Sequence, residues 1–331
     1  MVMETHSRIV GTGSYTAPGV LTNRDLEKMV DTSDEWIVER TGIRERRVAP
    51  PEISSSDMAA HSLGQALEMA GKRSEDLDMI ICGTVTPDRQ LPATAAYVQR
   101  KIGSNSHCAS FDLAAACAGF LYGLSIADSF IRLGRARTVG VIGVELLSRV
   151  LDFSDRNTCV LFGDGAGAVV MTAEQGADGG VLSSHLFTDG SLTELLTIPA
   201  GGSQQPTSVE TVQQRLHTVR MEGREVYRYA VKYLSEAAQC ALSANGIGPQ
   251  DVDVVVAHQA NMRILEAVSK RVSIPIDKFV LNIERYGNTS SASIPIALDE
   301  GVRSGRIKRD DTMLMIALGG GISWGSALLK W

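Results

Sequence analysis

The chain has 331 residues, 44% hydrophobic and 21% charged, a balance that supplies a large core and excludes a disordered protein. Its formal net charge of -6 argues against a general nucleic-acid binder, because neutralising phosphates needs a basic face. No run is long enough to span a bilayer, and MVMETHSRIV carries an acid at Glu4 with no basic-then-apolar order, so a cytoplasmic protein without a leader or membrane partner is expected.

Apolar runs of strand length alternate with helical periodicity, the pattern of an α/β protein. In chain order, strands are predicted at MIICGTV (79–85), CASFDL (108–113), TVGVIGVE (138–145) and AGAVVMT (166–172). A second set follows at VVVAH (254–258), KFVLNI (278–283), TMLMIAL (312–318) and WGSALLKW (324–331). The two sets repeat each other. AGKRSEDLDMIICG resembles NGIGPQDVDVVVAH, pairing Asp76 and Asp78 with Asp251 and Asp253 at an offset of 175. IADSFIRLGRA resembles ALDEGVRSGRI at an offset of 171, pairing Arg132 with Arg303 and Gly134 with Gly305. The chain therefore reads as two copies of one βα unit. The first offset sets His258 opposite Gly83 at a strand end, and the second sets Asn288 opposite Cys117 at a helix start. Ligands collect at such strand ends in open α/β sheets.

The glycine-rich stretches do not point to a nucleotide. GDGAGA (163–168) matches the letters of a dinucleotide fingerprint, but VVMT follows it as a strand where a helix should open. GTG (11–13) lacks the rest of that fingerprint. GGG (319–321) stands between two predicted strands, so its use is a tight turn or close backbone approach.

Five cysteines, Cys82, Cys108, Cys117, Cys159 and Cys240, are odd in number and widely spaced, without a C-x-x-C pair. Neither a disulfide framework nor a zinc site is expected. Cys117 stands apart from the rest, set among alanines and Gly119. Phe120, Leu121, Leu124, Ile126, Phe130 and Ile131 after it predict a central, buried helix. A thiol in the first turn of a helix meets the positive end of the dipole and unsatisfied N–H groups, which lower its pKa and favour a nucleophilic thiolate. AHQANMR places His258 at a strand end and Asn261 at a helix start, and RYGNTSSAS places Asn288 before a small-residue helix. Taken singly, the histidine also fits a structural role and the asparagine an N-cap. A Cys, a His and an Asn also fit a cysteine hydrolase, in which the histidine is the base and the asparagine its orienter. A non-catalytic binding module would not need all three.

Six motifs in order, DTSDEWIVERTGIRERR, DLAAACAGF, LFGDGAGAVV, HQAN, RYGNTSSASIPIALDEG and GGGISWGSALL, resemble β-ketoacyl-acyl carrier protein synthase III from about residue 8 to the C-terminus. The resemblance implies a thiolase fold, five-layered α/β/α/β/α. Residues 1–179 would form the half with the nucleophilic cysteine, and residues 180–331 the half with the histidine and asparagine. It also implies a homodimer that starts bacterial type II fatty-acid synthesis. Cys117 would take an acyl group from acyl-CoA, and malonyl-acyl carrier protein would then decarboxylate and condense with it. His258 and Asn288 would donate to the enolate oxygen, and the amides of Cys117 and Gly320 would form the oxyanion hole. No metal or nucleotide cofactor is implied, since loss of carbon dioxide itself creates the carbanion. Thr32, Trp36, Arg40, Arg156 and Asn261 would bind CoA. Arg228, Arg263, Lys270 and Arg271 would receive the acidic carrier protein.

Two features depart from the family pattern. Leu91 in DRQLPATAA occupies a position where acetyl-selective members carry phenylalanine, at the part of the acyl pocket given by the partner subunit; a primer longer than acetyl is the expectation. The segment Pro199 to His217 is long and suggests a mobile surface loop near the tunnel mouth. The rival within the fold is an acyltransferase or condensing enzyme of secondary metabolism acting on another acyl-CoA. A biosynthetic thiolase fits less well, because the C-terminal glycine-rich motif has no second cysteine.

Overall fold

MIICG and VVVA read as unbroken apolar runs because both faces of each strand are covered. In the computed structural model, which describes residues 5–175 and 179–331, they belong to two mixed sheets, MIICG inside the first and VVVA at one edge of the second. The first sheet runs, in spatial order, Thr5–Thr16, Asp164–Gln175, Thr138–Leu146, Met79–Gly83, Ala109–Leu113, and the last three of these are mutually parallel. The second runs Val254–Ala257, Thr312–Gly319, Ser323–Lys330, Gly180–Thr188, with only the first pair parallel.

Helices Gly119–Arg132 and Ser293–Arg303 lie between the sheets and touch both. Leu121, Leu124, Ile131, Ile294 and Leu298 pack there against Val141, Val169, Met313 and Met315 in one core, each such side chain stabilising by roughly 1.5–3 kcal/mol. Phe130, at the far end of the cysteine helix, emerges to 37% exposure. Ser55–Ala70 and Thr94–Lys101 cover the outer face of the first sheet, and Gly223–Ala244 and Met262–Val272 that of the second. The layers are α/β/α/β/α.

The strand and helix orders of the two halves correspond, with two adjustments to the sequence reading. The central helices begin 174 residues apart (293 minus 119) and end 171 apart (303 minus 132), because they contain 14 and 11 residues. The offset of 171 therefore holds only at their C-terminal ends. Cys117 is matched by Ser291, and Asn288 lies three residues before that point. The second adjustment concerns KFVLNI, which forms no strand: only Phe279 bridges Val255. The Gln259 side chain takes over the hydrogen bonds a strand partner would make, donating to Val280 O at 3.1 Å and accepting from Asn282 N at 3.2 Å.

Strands Thr5–Thr16 and Gly180–Thr188 escape the sequence pattern. The first is rich in polar residues and glycine and is broken by a bulge between Ile9 and Gly11. Its Gly11 and Gly13 lie so close to helix Ser55–Ala70 that an added Cβ would stand 2.1 Å from Ala66 O and 2.2 Å from Ser62 O. GDGAGA opens the strand Asp164–Gln175, as the pattern after it predicts. The segment Pro199 to His217, read as a mobile loop, folds upon itself. It contains a capped helix Val209–Gln213, a Thr211–His217 contact at 3.0 Å and backbone bonds Ala200–Leu216 and Gly201–Gln205, and Gln90 donates to Gly201 O at 2.8 Å. No described helix is long and apolar enough to cross a membrane.

Candidate active site

Cys117 occupies a 3-10 turn, Ala116–Ala118, which leads directly into the first central helix. Ala116 carries it there with φ +45°. In the second half Ser290 has φ +50° at the head of the matching turn Ser290–Ala292. Ile322, beside Gly320 and Gly321, has φ +43°. Such backbone costs on the order of 1–3 kcal/mol per residue and persists only where its surroundings hold it.

Around Cys117 the chains approach closely. A Cβ on Gly319 would stand 2.5 Å from the Cys117 amide nitrogen, so GGG serves close backbone approach. Gly83 packs on Gly119, and Gly143 on the Ser291 carbonyl.

Two cavities meet at Cys117. One, of about 190 Å³, is lined by Cys117, His258, Asn288, Asn261 and Leu318 among others. The other, of about 460 Å³, is apolar, with Cys117, Leu147, Ile198, Val219, Ser290 and Gly320 in its wall. Phe162 and Leu196 border both.

The polar side chains in the first cavity are fixed from behind. Gly287, with φ +64°, turns the chain so that Asn288 N donates to Leu161 O at 2.8 Å and Asn288 O accepts from Gly163 N at 3.0 Å. Asn288 Oδ1 accepts from Ser290 N at 2.8 Å, so the asparagine caps this turn with its oxygen and keeps its amide N–H groups for the cavity. His258 follows strand Val254–Ala257, and its Nδ1 lies 3.1 Å from Ser293 Oγ. Burial pushes the imidazole down to about 3, so it is neutral at physiological pH.

The thiol departs from the sequence reading. Burial pushes Cys117 up to about 12; the nearby Ser290 hydroxyl opposes the rise and the Glu145 charge adds to it. Desolvation of the thiolate outweighs the stabilisation expected from the helix end, and the resting side chain is a thiol.

Glu145 is a buried acid that sequence reasoning passed over. Its carboxyl accepts from Thr86 Oγ1 at 2.7 Å, Val85 N at 3.1 Å, Ser291 Oγ at 3.0 Å and Ser290 Oγ at 3.2 Å. Burial, only partly offset by these donors, raises it to about 7. A lone acid in the apolar run TVGVIGVEL was the signal available for it.

The residues expected to hold CoA gather at one place. The guanidinium carbons of Arg40 and Arg156 stand 4.9 and 5.2 Å from the Trp36 ring centroid, a cation–π arrangement. Asn261 caps helix Met262–Val272, accepting from Arg263 N at 2.8 Å and donating to Arg40 O at 3.0 Å. It thus joins the cysteine cavity to the Trp36 cluster. Thr32 Oγ1, near this cluster in sequence, is buried without a hydrogen-bond partner.

Arg263, Lys270 and Arg271 are exposed on helix Met262–Val272. Arg228 is exposed on the adjacent helix, paired with Glu225 and lying over the Tyr229 ring. Leu91 lines neither cavity of this chain and is 84% exposed.

The family profile of 3-oxoacyl-[acyl-carrier-protein] synthase III matches residues 111–190, and that of its C-terminal part matches residues 242–331. A β-ketoacyl-[acyl-carrier-protein] synthase III of Caldanaerobacter subterraneus is 51% identical, over 98% of this chain and 97% of that protein. The chain belongs to the β-ketoacyl-[acyl-carrier-protein] synthase III family. Among solved structures, the 3-oxoacyl-[acyl-carrier-protein] synthase III of Aquifex aeolicus superposes with a TM-score of 0.91 at 46% identity, covering 98% of this chain and all of that one (100%). The priming β-ketosynthase of the R1128 polyketide pathway also superposes with a TM-score of 0.91, at 34% identity, covering 100% of this chain and 98% of that one. Synthase III enzymes are condensing acyltransferases of the thiolase fold, the architecture described above.

Proposed function

We propose that this synthase opens type II fatty-acid synthesis by a decarboxylative Claisen condensation at Cys117. In the first half-reaction the Cys117 sulfur attacks the carbonyl of an acyl-CoA, forming the enzyme thioester and releasing CoA, whose sulfur takes the thiol proton. The amides of Cys117 and Gly320 receive the carbonyl oxygen as it gains charge. In the second, the carboxylate of malonyl-acyl carrier protein leaves as carbon dioxide, and its C–C bonding pair becomes an enolate whose oxygen His258 and Asn288 hold. The enolate carbon then attacks the acyl carbonyl, the C–S bond to Cys117 breaks, and the departing sulfur takes up a proton from solvent, replacing the one that left with CoA. The electron pair comes from the substrate, and the reading needs neither a metal nor a redox cofactor.

The observation that carries the reading is that Cys117, His258 and Asn288 border one cavity, with Asn288 Oδ1 already engaged by backbone. What remains for the substrate is a sulfur and nitrogen donors, the inventory for acyl capture and enolate stabilisation. A hydrolase would instead need a histidine that accepts protons, and burial opposes that here.

Trp36, Arg40, Arg156, Asn261 and Thr32 would receive CoA, and Arg228, Arg263, Lys270 and Arg271 the acidic carrier protein. The apolar cavity of about 460 Å³ supports a primer longer than acetyl. A homodimer is favoured by the open edge of strand Ala109–Leu113 and by Leu91, an exposed apolar side chain that a partner subunit would cover. Five unpaired thiols suit a reducing cytoplasm. A second reading, priming for secondary metabolism, is favoured by the likeness to the R1128 enzyme.

Weighing the intact protein after exposure to acyl-CoAs of graded length, then adding malonyl-acyl carrier protein, tests the proposal. An adduct at Cys117 that disappears with release of carbon dioxide and formation of a 3-oxoacyl product is expected. Adducts that are only hydrolysed would defeat it.

A further inference from the structure

Enolate stabilisation by a neutral histidine requires its proton to sit on the nitrogen that faces the substrate. We propose that Ser293 is a positioning residue that fixes His258 as the Nε2–H tautomer, so that the turn following Asn288 sets both enolate donors. The inference rests on the reaction assigned above to this cavity.

Hydrogen-bond accounting at one oxygen leads to it. Gln259 N donates to Ser293 Oγ at 2.6 Å, occupying one of its lone pairs. The only other polar contact described for this oxygen is His258 Nδ1, at 3.1 Å. Serines elsewhere in these helices return their hydroxyl proton to a carbonyl of the preceding turn, as Ser235 does to Val231 O at 2.7 Å and Ser129 to Ser125 O at 2.9 Å. No such bond is described for Ser293, so the acceptor left for its hydroxyl proton is Nδ1. A hydroxyl that donates to Nδ1 excludes a proton there, and a neutral imidazole then carries its hydrogen on Nε2.

Ser293, His258 and Gln259 are all at most 2% exposed, which keeps water from competing for these positions. In the opposite tautomer Nε2 would present a lone pair to a developing oxyanion, repelling what it must hold. Asn288 is arranged by the same logic. Ser290 N occupies its oxygen and thereby settles which end of the amide faces the cavity. A single stretch, Asn288 to Ser293, thus supplies one donor and the orienting group for each of the two.

Nitrogen-15 spectroscopy of histidine-labelled wild-type protein reads the tautomer directly, the His258 resonances being those that vanish in His258→Ala. A neutral pattern with the proton on Nε2 is expected, and the proton on Nδ1 would overturn the proposal. In Ser293→Ala the tautomer should redistribute toward Nδ1–H and decarboxylation of malonyl-acyl carrier protein should fall at least about tenfold, while adduct formation from acyl-CoA stays within about twofold; the loss of one oxyanion donor, about 10²–10³, is the ceiling. Ser293→Thr, which keeps the hydroxyl, should restore both. Unchanged decarboxylation in Ser293→Ala would refute the role, and so would equal loss of adduct formation in a folded Ser293→Ala. If wild-type enzyme failed to decarboxylate malonyl-acyl carrier protein at all, the functional reading would fall, whereas the tautomer measurement would stand by itself.

Discussion

The turns that open the two central helices share a backbone and differ in almost every side chain. Ala115–Gly119 and Thr289–Ser293 each pass through a residue at positive φ, make one 3-10 turn and enter a helix. The first is Ala-Ala-Cys-Ala-Gly, with nothing to compete with the sulfur for space. The second is Thr-Ser-Ser-Ala-Ser, and three of its hydroxyls reach the groups around the site: Ser290 and Ser291 bond Glu145, and Ser293 bonds the His258–Gln259 corner. Duplication supplied two equivalent helix ends. On the proposed mechanism, the bare end leaves room for a substrate and the polar end orients the donors.

The sharpest break of this symmetry is at the sulfur. Cys117→Ser should abolish the acyl-enzyme, read by intact mass, because a buried hydroxyl is a far weaker nucleophile than a thiol. An acylated serine variant would mean that the turn itself, not its sulfur, does the work. Next come the donors. His258→Ala and Asn288→Ala should retain adduct formation and lose about 10²–10³ in malonyl decarboxylation, some 3–4 kcal/mol each; an Asn288→Ala protein that cannot be acylated would show that the two turns do not divide the steps.

The seating of the two turns on the first sheet differs in a measurable way. A Cβ at Gly143 would stand 2.1 Å from the Ser291 carbonyl oxygen, whereas one at Gly83 would stand 2.9 Å from Gly119. Gly143→Ala should therefore cost about 3 kcal/mol or more, and Gly83→Ala about 1–2, in denaturant titrations. Equal costs would indicate that both turns shift alike.

Glu145 gives a pH-dependent contrast. Burial raises its carboxyl from 4.5 to about 7, so the fold favours the protonated form. The unfolded chain gives up this proton near 4.5 while the native protein keeps it to about 7, so stability is lost as pH rises through that window. The loss is at most a few kcal/mol. Glu145→Gln should flatten the slope between about pH 4.5 and about pH 7 in urea unfolding, and an unaltered slope would assign it to other groups. The smallest expected effect is at Leu91, where Leu91→Phe should shift kcat/KM toward acetyl-CoA by about tenfold, the worth of one or two buried methylenes. A wild-type profile already peaking at acetyl would remove the basis for it.

Much of this architecture was legible because both faces of the inner strands are buried. MIICG, TVGVIGVE and TMLMIAL needed only their apolar runs, and so did VVVAH, an edge strand whose faces are covered all the same. Thr5–Thr16 was hidden because its glycines exist to admit a helix, and close approach leaves no periodic trace. KFVLNI misled because Gln259, some twenty residues earlier in the chain, satisfies backbone groups that its composition would assign to a sheet. The helix pairing slipped by three residues because one copy is shorter, a difference invisible where only the C-terminal ends align. Reasoning from a helix end anticipated an acidified thiol; burial, which no local pattern reports, reversed the direction. Ser293 could not be read at all, since its partner His258 lies 35 residues away and the hydroxyl's role depends on a bond made by Gln259.

The position of Cys117 between two cavities has a kinetic consequence. On the proposed mechanism, an acyl chain stored on the sulfur and lying in the apolar cavity would leave the other cavity clear, so the spent CoA arm would have to withdraw before the carrier-protein arm could enter. The two thioesters would therefore alternate and compete for one vacancy, with an excess of the extender delaying loading of the primer. Chain starting would then respond to the ratio of the two supplies rather than to either alone, giving the first step of chain building a gauge of its own feedstock.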